Sequence, residues 1–345
     1  MKPHGIAGLY YLISKEWLDV KRIVIKSAIF ILLIILLDFS IGKLIVYLMN
    51  HHKLDTLSGI EYARYVNPEI IVVGASQAQA GYNSELISNF TGMKTINIGG
   101  ASVSSSYIYI ILKEILKTQK PKYIIYDASI VDIMGVANKS STKRLAYLYG
   151  KDKEVDSILT QVIPNCKVTL LSSIFKYRML IKNRLKFSNS INRDRYTYFE
   201  PDNGKTVDIL VAEALTKNDT LSQKPLRSDT KSLTYRCFNK IITLCHKQKV
   251  ELIIVLSPTY HKDIYKNNDY QYSSYIQNLE SIKTLNFYNI SPRRYTYFTN
   301  KIYFKDLNHL NGIGSDSLSI IIARSISNME LQKRTKDYKE IIKSN

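Results

Sequence analysis

Cysteine, tryptophan and proline are scarce in this chain, and each scarcity narrows what it is. Three cysteines in 345 residues, an odd number with no metal-ligand spacing, exclude a disulfide scaffold and argue against a zinc module. Cys237 and Cys245 lie in a helical stretch and Cys166 lies far away, so all three read as small core residues. Acidic residues are also few, 29 against 48 Lys and Arg, for a formal net charge of +19. Such an excess points first to nucleic acid or an anionic membrane. Here it comes with 26 Tyr, abundant Ile and Asn, one Trp and 8 Pro, a bias that an AT-rich coding sequence produces by itself. No aromatic-basic motif of an RNA-binding sheet accompanies the charge, so nucleic acid is not the expected partner. A hydrophobic share of 45% excludes disorder and gives the chain a core.

What the chain has near its start is one long apolar run. Ser27 to Met49 reads SAIFILLIILLDFSIGKLIVYLM, enough to cross a hydrocarbon core of about 30 Å at about 1.5 Å per residue. Ala28 to Leu37 has no polar face, which argues against a buried helix of a soluble domain. Asp38 and Lys43 interrupt the run, each at a cost of roughly 2 to 3.5 kcal/mol near a membrane centre. Lys2, Lys15, Lys21, Arg22 and Lys26 precede it, so the positive-inside rule places residues 1–26 in the cytoplasm. No small-x-small cleavage site follows, which favours a retained signal anchor over 27–49 and a single-pass protein of the cell membrane. The remainder of the chain is then expected outside the cytoplasm.

After a linker over 50–63, short apolar strands alternate with amphipathic helices, the pattern of an α/β domain with a mostly parallel sheet. The expected strands are Ile70 to Val73, Thr95 to Ile98, Tyr123 to Tyr126, Glu251 to Leu256 and Asn286 to Asn289. Expected helices cover Ser84 to Asn89, Val103 to Lys117, Lys231 to Lys247, Tyr272 to Lys283 and Gly314 to Met329. The domain spans 64–330, carries an insertion over about 134–230 where the alternation fails, and is followed by a basic tail over 331–345. An insertion leaving the third strand emerges at the carboxyl edge of the sheet, where ligands bind in open α/β folds.

Three short motifs fall at that same edge. Gly74-Ala75-Ser76-Gln77 follows the first strand, with small residues allowing a tight turn that lifts the Ser76 hydroxyl and its N–H to the sheet edge. Asn97-Ile98-Gly99-Gly100 ends the second strand, and Gly99 lets a backbone N–H approach a developing oxyanion. Asp306-Leu307-Asn308-His309 precedes the last helix, a spacing that supplies a general base with the carboxylate that orients it. Of six histidines, His4, His51, His52 and His246 lie in poor places for catalysis. Ser257 to His261 follows the fourth strand, so Tyr260 and His261 are candidate pocket residues.

In this order the motifs resemble those of the SGNH hydrolase superfamily, also called the GDSL family. The resemblance implies a flavodoxin-like three-layer α/β/α domain, with Ser76 as nucleophile, His309 as base and Asp306 as the triad acid. Ala75 stands where the family's eponymous motif carries Asp, which is not the triad acid. Backbone N–H groups of Ser76 and Gly99 would form the oxyanion hole. The third block departs: where the family shows Gly-x-Asn-Asp, this chain has Ser129-Ile130-Val131-Asp132, and Val131 donates no side-chain hydrogen bond. Asn97 or Ser129 is the expected substitute donor, and both are candidate pocket residues together with Asp132. Similar anchored members imply a serine esterase or O-acyltransferase, of acetyl groups first of all, acting on a cell-surface polysaccharide of the cell envelope. They imply no cofactor and no metal, an acyl-ester or glycan substrate, and a membrane acyl-donor protein as partner. The alternative is a weak or inactive SGNH-fold protein that binds glycan or scaffolds surface-polysaccharide assembly. Lys and Arg of the insertion, Arg193 and Arg195 among them, are expected to attract an anionic glycan or lipid head group.

Overall fold

The structure, a computed structural model, describes residues 4–51, 59–128, 133, 137–163, 165–177, 196–216, 231–260, 277, 286–290 and 295–344. The chain divides into two compact units: Met1–Leu54 with Pro164–Lys186, and Asp55–Ile163 with Phe187–Asn345.

The first unit is built on helix α1 (His4–His51), which over Trp17–Tyr47 is long and apolar enough to cross a membrane. It begins well before Ser27, because no proline interrupts the chain between Pro3 and Pro68. Most leucines, isoleucines and phenylalanines of this helix between Trp17 and Tyr47 are exposed, Phe30 at 64% and Leu37 at 61% among them. In water that surface would be strongly unfavourable at about 25 cal/mol per Å². Ser40, inside the apolar stretch, donates its hydroxyl to Leu36 O at 2.7 Å and so presents no open donor. The second segment of this unit holds a short helix α8 (Cys166–Thr169) and a helical turn at 173–177.

The second unit is a five-stranded parallel sheet in the order β2-β1-β3-β4-β5, from β1 (Ile70–Val73), β2 (Thr95–Asn97), β3 (Tyr123–Asp127), β4 (Glu251–Leu256) and β5 (Asn286–Asn289). Its three central strands are apolar on both faces, as a sheet covered on both sides requires. Ile70, Val72, Tyr123, Ile125, Ile253 and Val255 share one core with Ile87 of α4 (Ser84–Thr91) and with Leu318, Ile322 and Ile326 of α11 (Gly312–Ser344). Tyr126, alternate to Ile125, instead meets Phe238 of α10 (Leu233–Lys247), ring centroids 5.7 Å apart, and hydrogen-bonds Ser105 of α5 (Ser105–Ile115) at 2.9 Å.

Four expectations change. Part of the expected linker is a helix, α2 (Gly59–Val66), with Ile60 and Ala63 buried one turn apart. The stretch read as an insertion contains α6 (Lys139–Lys143), α7 (Lys153–Val162), α8 and α9 (Lys205–Thr216), whose short, polar-interrupted runs hide the helical period. Residues 164–186 of that stretch group with α1. The final helix does not stop near Met329 but continues through most of the basic tail to Ser344, since Glu330 to Ser344 contains no glycine or proline to end it. Of the helix expected over 272–283, residue 277 is described and is helical, and the rest lies outside the described residues.

Candidate active site

The carboxyl ends of β1, β2, β3 and β4 gather the motifs. After β1 the chain turns at Gly74 (φ +149°) into helix α3 (Ser76–Gly81). A Cβ on Gly74 would stand 2.6 Å from Ala78 Cβ and 2.9 Å from Asp127 Cβ, so the turn demands glycine twice, for its φ and for its space. Gly99 is equally tight: a Cβ there would stand 2.8 Å from Gln79 N and 2.9 Å from Ala78 Cβ. Two glycines from neighbouring strands thus form the floor on which the first turn of α3 rests, with Ser76 at its start and half-buried.

The loop carrying His309 is bracketed from outside. Phe304 and Leu310 form an antiparallel bridge, and Lys305 N–H donates to His309 O at 2.9 Å. Asn311 donates to Ile302 O at 2.7 Å and accepts from Gly314 N–H at 3.1 Å, fixing the entry into α11. Within the loop Asp306 Oδ1 accepts from the N–H groups of Asn308 (2.8 Å) and His309 (2.9 Å). The His309 ring presents Nδ1 to the same carboxylate, 3.0 Å from Oδ1 and 2.9 Å from Oδ2. Burial alone would raise the Asp306 carboxyl, but the hydrogen bonds from the His309 ring and the two N–H groups hold it below the ordinary carboxylate range. An ionised Asp306 fixes the proton on Nδ1 and leaves Nε2 as the basic nitrogen.

The serine turn and the histidine loop are tied together one residue from each: Gln77 Nε2 donates to Asn308 O at 3.3 Å. Ser76 Oγ itself makes no hydrogen bond among the described residues, to His309 or elsewhere. Phe199 stands edge-on to the His309 ring, centroids 6.3 Å apart, and its carbonyl accepts from Gly312 N–H at 2.7 Å. Thr197 N–H donates to Gln79 O at 2.9 Å, so residues 196–199 run beside both α3 and the histidine loop.

The groups expected to donate to an oxyanion are arranged differently from expectation. Asn97 is fully buried, and both protons of its amide are used, on Ala78 O (2.8 Å) and Tyr82 O (3.0 Å). It therefore clamps α3 to β2 and is not the pocket residue or substitute donor anticipated. Its oxygen in turn accepts from Gly99 N–H at 2.9 Å, and Gly100 N–H donates to Gly74 O at 3.1 Å. Gly99 thus lies at the site with its N–H engaged. In α3 the first N–H with a backbone partner is that of Gln79, to Ala75 O at 3.0 Å, which leaves those of Ser76, Gln77 and Ala78 open among the described residues. Tyr260 supports the histidine loop from below, its N–H on Leu307 O at 3.0 Å and its ring 5.5 Å from Phe304. Ser129, Val131, Asp132, Arg193, Arg195 and His261 lie outside the described residues.

One group at this edge is not singled out by any motif of the sequence. Asp127, the last residue of β3, is 1% exposed directly behind Gly74, and its Oδ1 has no hydrogen-bond partner among the described residues. Ser257 donates to its Oδ2, and Tyr82 in turn donates to Ser257 across 3.2 Å. Burial pushes this carboxyl up to about 7 against the pull of those hydroxyls. A carboxylate at the carboxyl end of an apolar strand was the available signal.

No protein-family model matches the chain, and no curated protein matches it either.

Proposed function

We propose that the protein is a membrane-anchored serine esterase or O-acyltransferase of the SGNH type, acting on acyl esters of a cell-surface glycan. The observation that carries this reading is the His309 ring held at Nδ1 by both oxygens of Asp306, on a loop tied by Gln77 to the turn that bears Ser76. Parallel strands in the order 2-1-3-4-5, with helices packed against alternate residues of β3, support the flavodoxin-like three-layer form that the resemblance implies. The apolar run of α1 that follows Lys26 supports anchoring, and the basic residues before it support a cytoplasmic N-terminus.

In the reaction His309 Nε2 takes the proton of Ser76 Oγ as that oxygen attacks the ester carbonyl. Asp306 stabilises the imidazolium. The open N–H groups at the start of α3 receive the oxyanion, and Gly99 adds its own when Asn97 releases it. Collapse expels the alcohol, which takes its proton from His309, and leaves acyl-Ser76. Water then completes an esterase cycle, or a sugar hydroxyl a transferase cycle. The full chain in detergent is expected to release acetate or p-nitrophenol from acetyl esters, and Ser76→Ala to abolish the release. Undiminished release by the variant would remove Ser76 as nucleophile.

A second reading, an inactive glycan-binding member of the same fold, is favoured by one observation: the Gly99 N–H is engaged by Asn97. It predicts glycan binding unaffected by Ser76→Ala and no turnover of any ester.

A further inference from the structure

Asp38 is the residue of α1 that a membrane tolerates least, and the structure gives it partners 134 and more residues away in sequence. Ser172 Oγ donates to its Oδ1 at 2.7 Å, Ser173 N–H to its Oδ2 at 2.6 Å, and Ile174 N–H to its Oδ1 at 3.1 Å. The carboxylate therefore sits at the start of the helical turn 173–177, both belonging to the unit that joins 1–54 with 164–186. The helix is shaped to receive that turn. A Cβ on Gly42 would stand 2.5 Å from both Ser173 Cβ and Oγ, so glycine one turn after Asp38 makes the notch in which Ser173 rests. Of the described side chains of α1, 17–47, those of Asp38, Ile41, Gly42 and Ile45 alone are not exposed, and their spacing of three and four defines one helix face.

Hydrogen bonds this short require Asp38 and residues 172–174 to occupy one depth. If α1 crosses the bilayer, the docked segment enters it too. Its outward side chains suit that place: Leu171 is 79% exposed, Ile174 43% and Phe175 48%. Three apolar side chains on one short segment, continuous with an apolar helix, form a surface for acyl chains. The docking also answers the cost of Asp38, since its carboxylate meets donors where lipid supplies none.

We propose that the segment Cys166–Tyr177 is a second membrane-embedded element, seated on α1 through Asp38 and Gly42, with Leu171, Ile174 and Phe175 in contact with the acyl chains of the bilayer. This rests on the reading of α1 as a membrane anchor. The test uses the full chain with Cys166, Cys237 and Cys245 replaced by alanine, reconstituted in phosphatidylcholine vesicles containing phosphatidylglycerol. An environment-sensitive fluorophore is placed by Leu171→Cys, with Leu33→Cys in α1 and Lys247→Cys at the exposed end of α10 as controls. Quenching by doxyl-labelled lipid at Leu171 is expected within about twofold of that at Leu33, and quenching by aqueous iodide at least about fivefold weaker than at Lys247. In an Asp38→Ala background iodide quenching at Leu171 is expected to rise severalfold while Leu33 is unchanged. A Leu171 probe as open to iodide as Lys247, beside a lipid-quenched Leu33, overturns the proposal. A Leu33 probe that lipid does not quench overturns the anchor itself, and an unchanged Leu171 signal in Asp38→Ala overturns Asp38 as the seat.

Discussion

Asp127→Asn is expected to change how stability depends on pH. The carboxyl is 1% exposed and burial raises it to about 7, whereas in the unfolded chain it titrates near 3.8. Between those values the folded protein holds a proton that the unfolded chain has released. The stabilising contribution is complete below the unfolded value and is lost as pH rises through the folded one. About three pH units at 1.36 kcal/mol each give about 4 kcal/mol lost between roughly pH 4 and pH 8. The amide of the variant is neutral throughout and loses nothing by this route. Asp306, Asp152 and Glu154 have lowered values and act in the opposite sense, destabilising the fold as pH falls, but they are common to both proteins and cancel in the difference. Urea unfolding of the full chain in detergent, followed by the near-UV dichroism of its tyrosines, measures the effect. The single tryptophan, Trp17, lies in α1 and does not report on the sheet. With a urea slope of roughly 3 kcal/mol per molar, the wild-type midpoint should fall relative to the variant by about 1 M from pH 4 to pH 8. Midpoints that move in parallel would refute the buried, proton-holding carboxyl.

Gly74→Ala brings a Cβ to 2.6 Å from Ala78 Cβ at a φ of +149°, and is expected to cost about 3 kcal/mol or more by thermal unfolding. Adding Ala78→Gly should recover part of that loss and not all, because the φ strain stays. Asn97→Ala strips two buried carbonyls and the Gly99 N–H of their partner and is expected to cost about 3 kcal/mol in the same measurement; a loss under about 1 kcal/mol would refute the clamp. Asp306→Asn puts the wrong tautomer on His309 and is expected to lower kcat on p-nitrophenyl acetate by roughly 10³ to 10⁴ with KM little changed; a drop under about tenfold would count against the pairing.

The parts of the fold legible in the sequence are those where burial writes a pattern. Leu252–Leu256 and Ile70–Val73 are unbroken apolar runs bounded by turns, and the strands read from them, Glu251–Leu256 and Ile70–Val73, coincide with β4 and β1 to the residue. Helices are less legible where polar residues cut the period, as in α6 to α9, or where nothing marks an end, as in α11 beyond Met329. At the site, the Asp306–His309 pairing is local and follows from a spacing of three, so the sequence carries it. The commitment of Asn97 to Ala78 and Tyr82 depends on how α3 lies over β2, a tertiary fact that no short motif encodes. Asp127 escapes a reading of the sequence because its strand ends one residue later than the apolar run. Asp38 reads as a defect of a membrane helix, because the serines that satisfy it stand far along the chain.

The central claim is that Ser76 is a nucleophile activated by His309 and Asp306, and its most direct test is labelling of the full chain by a serine-reactive fluorophosphonate, located by peptide mass spectrometry. Stoichiometric modification of Ser76 is expected, with none in Ser76→Ala and much slower modification in His309→Ala. Failure of Ser76 to label, together with glycan binding that survives Ser76→Ala, would contradict it.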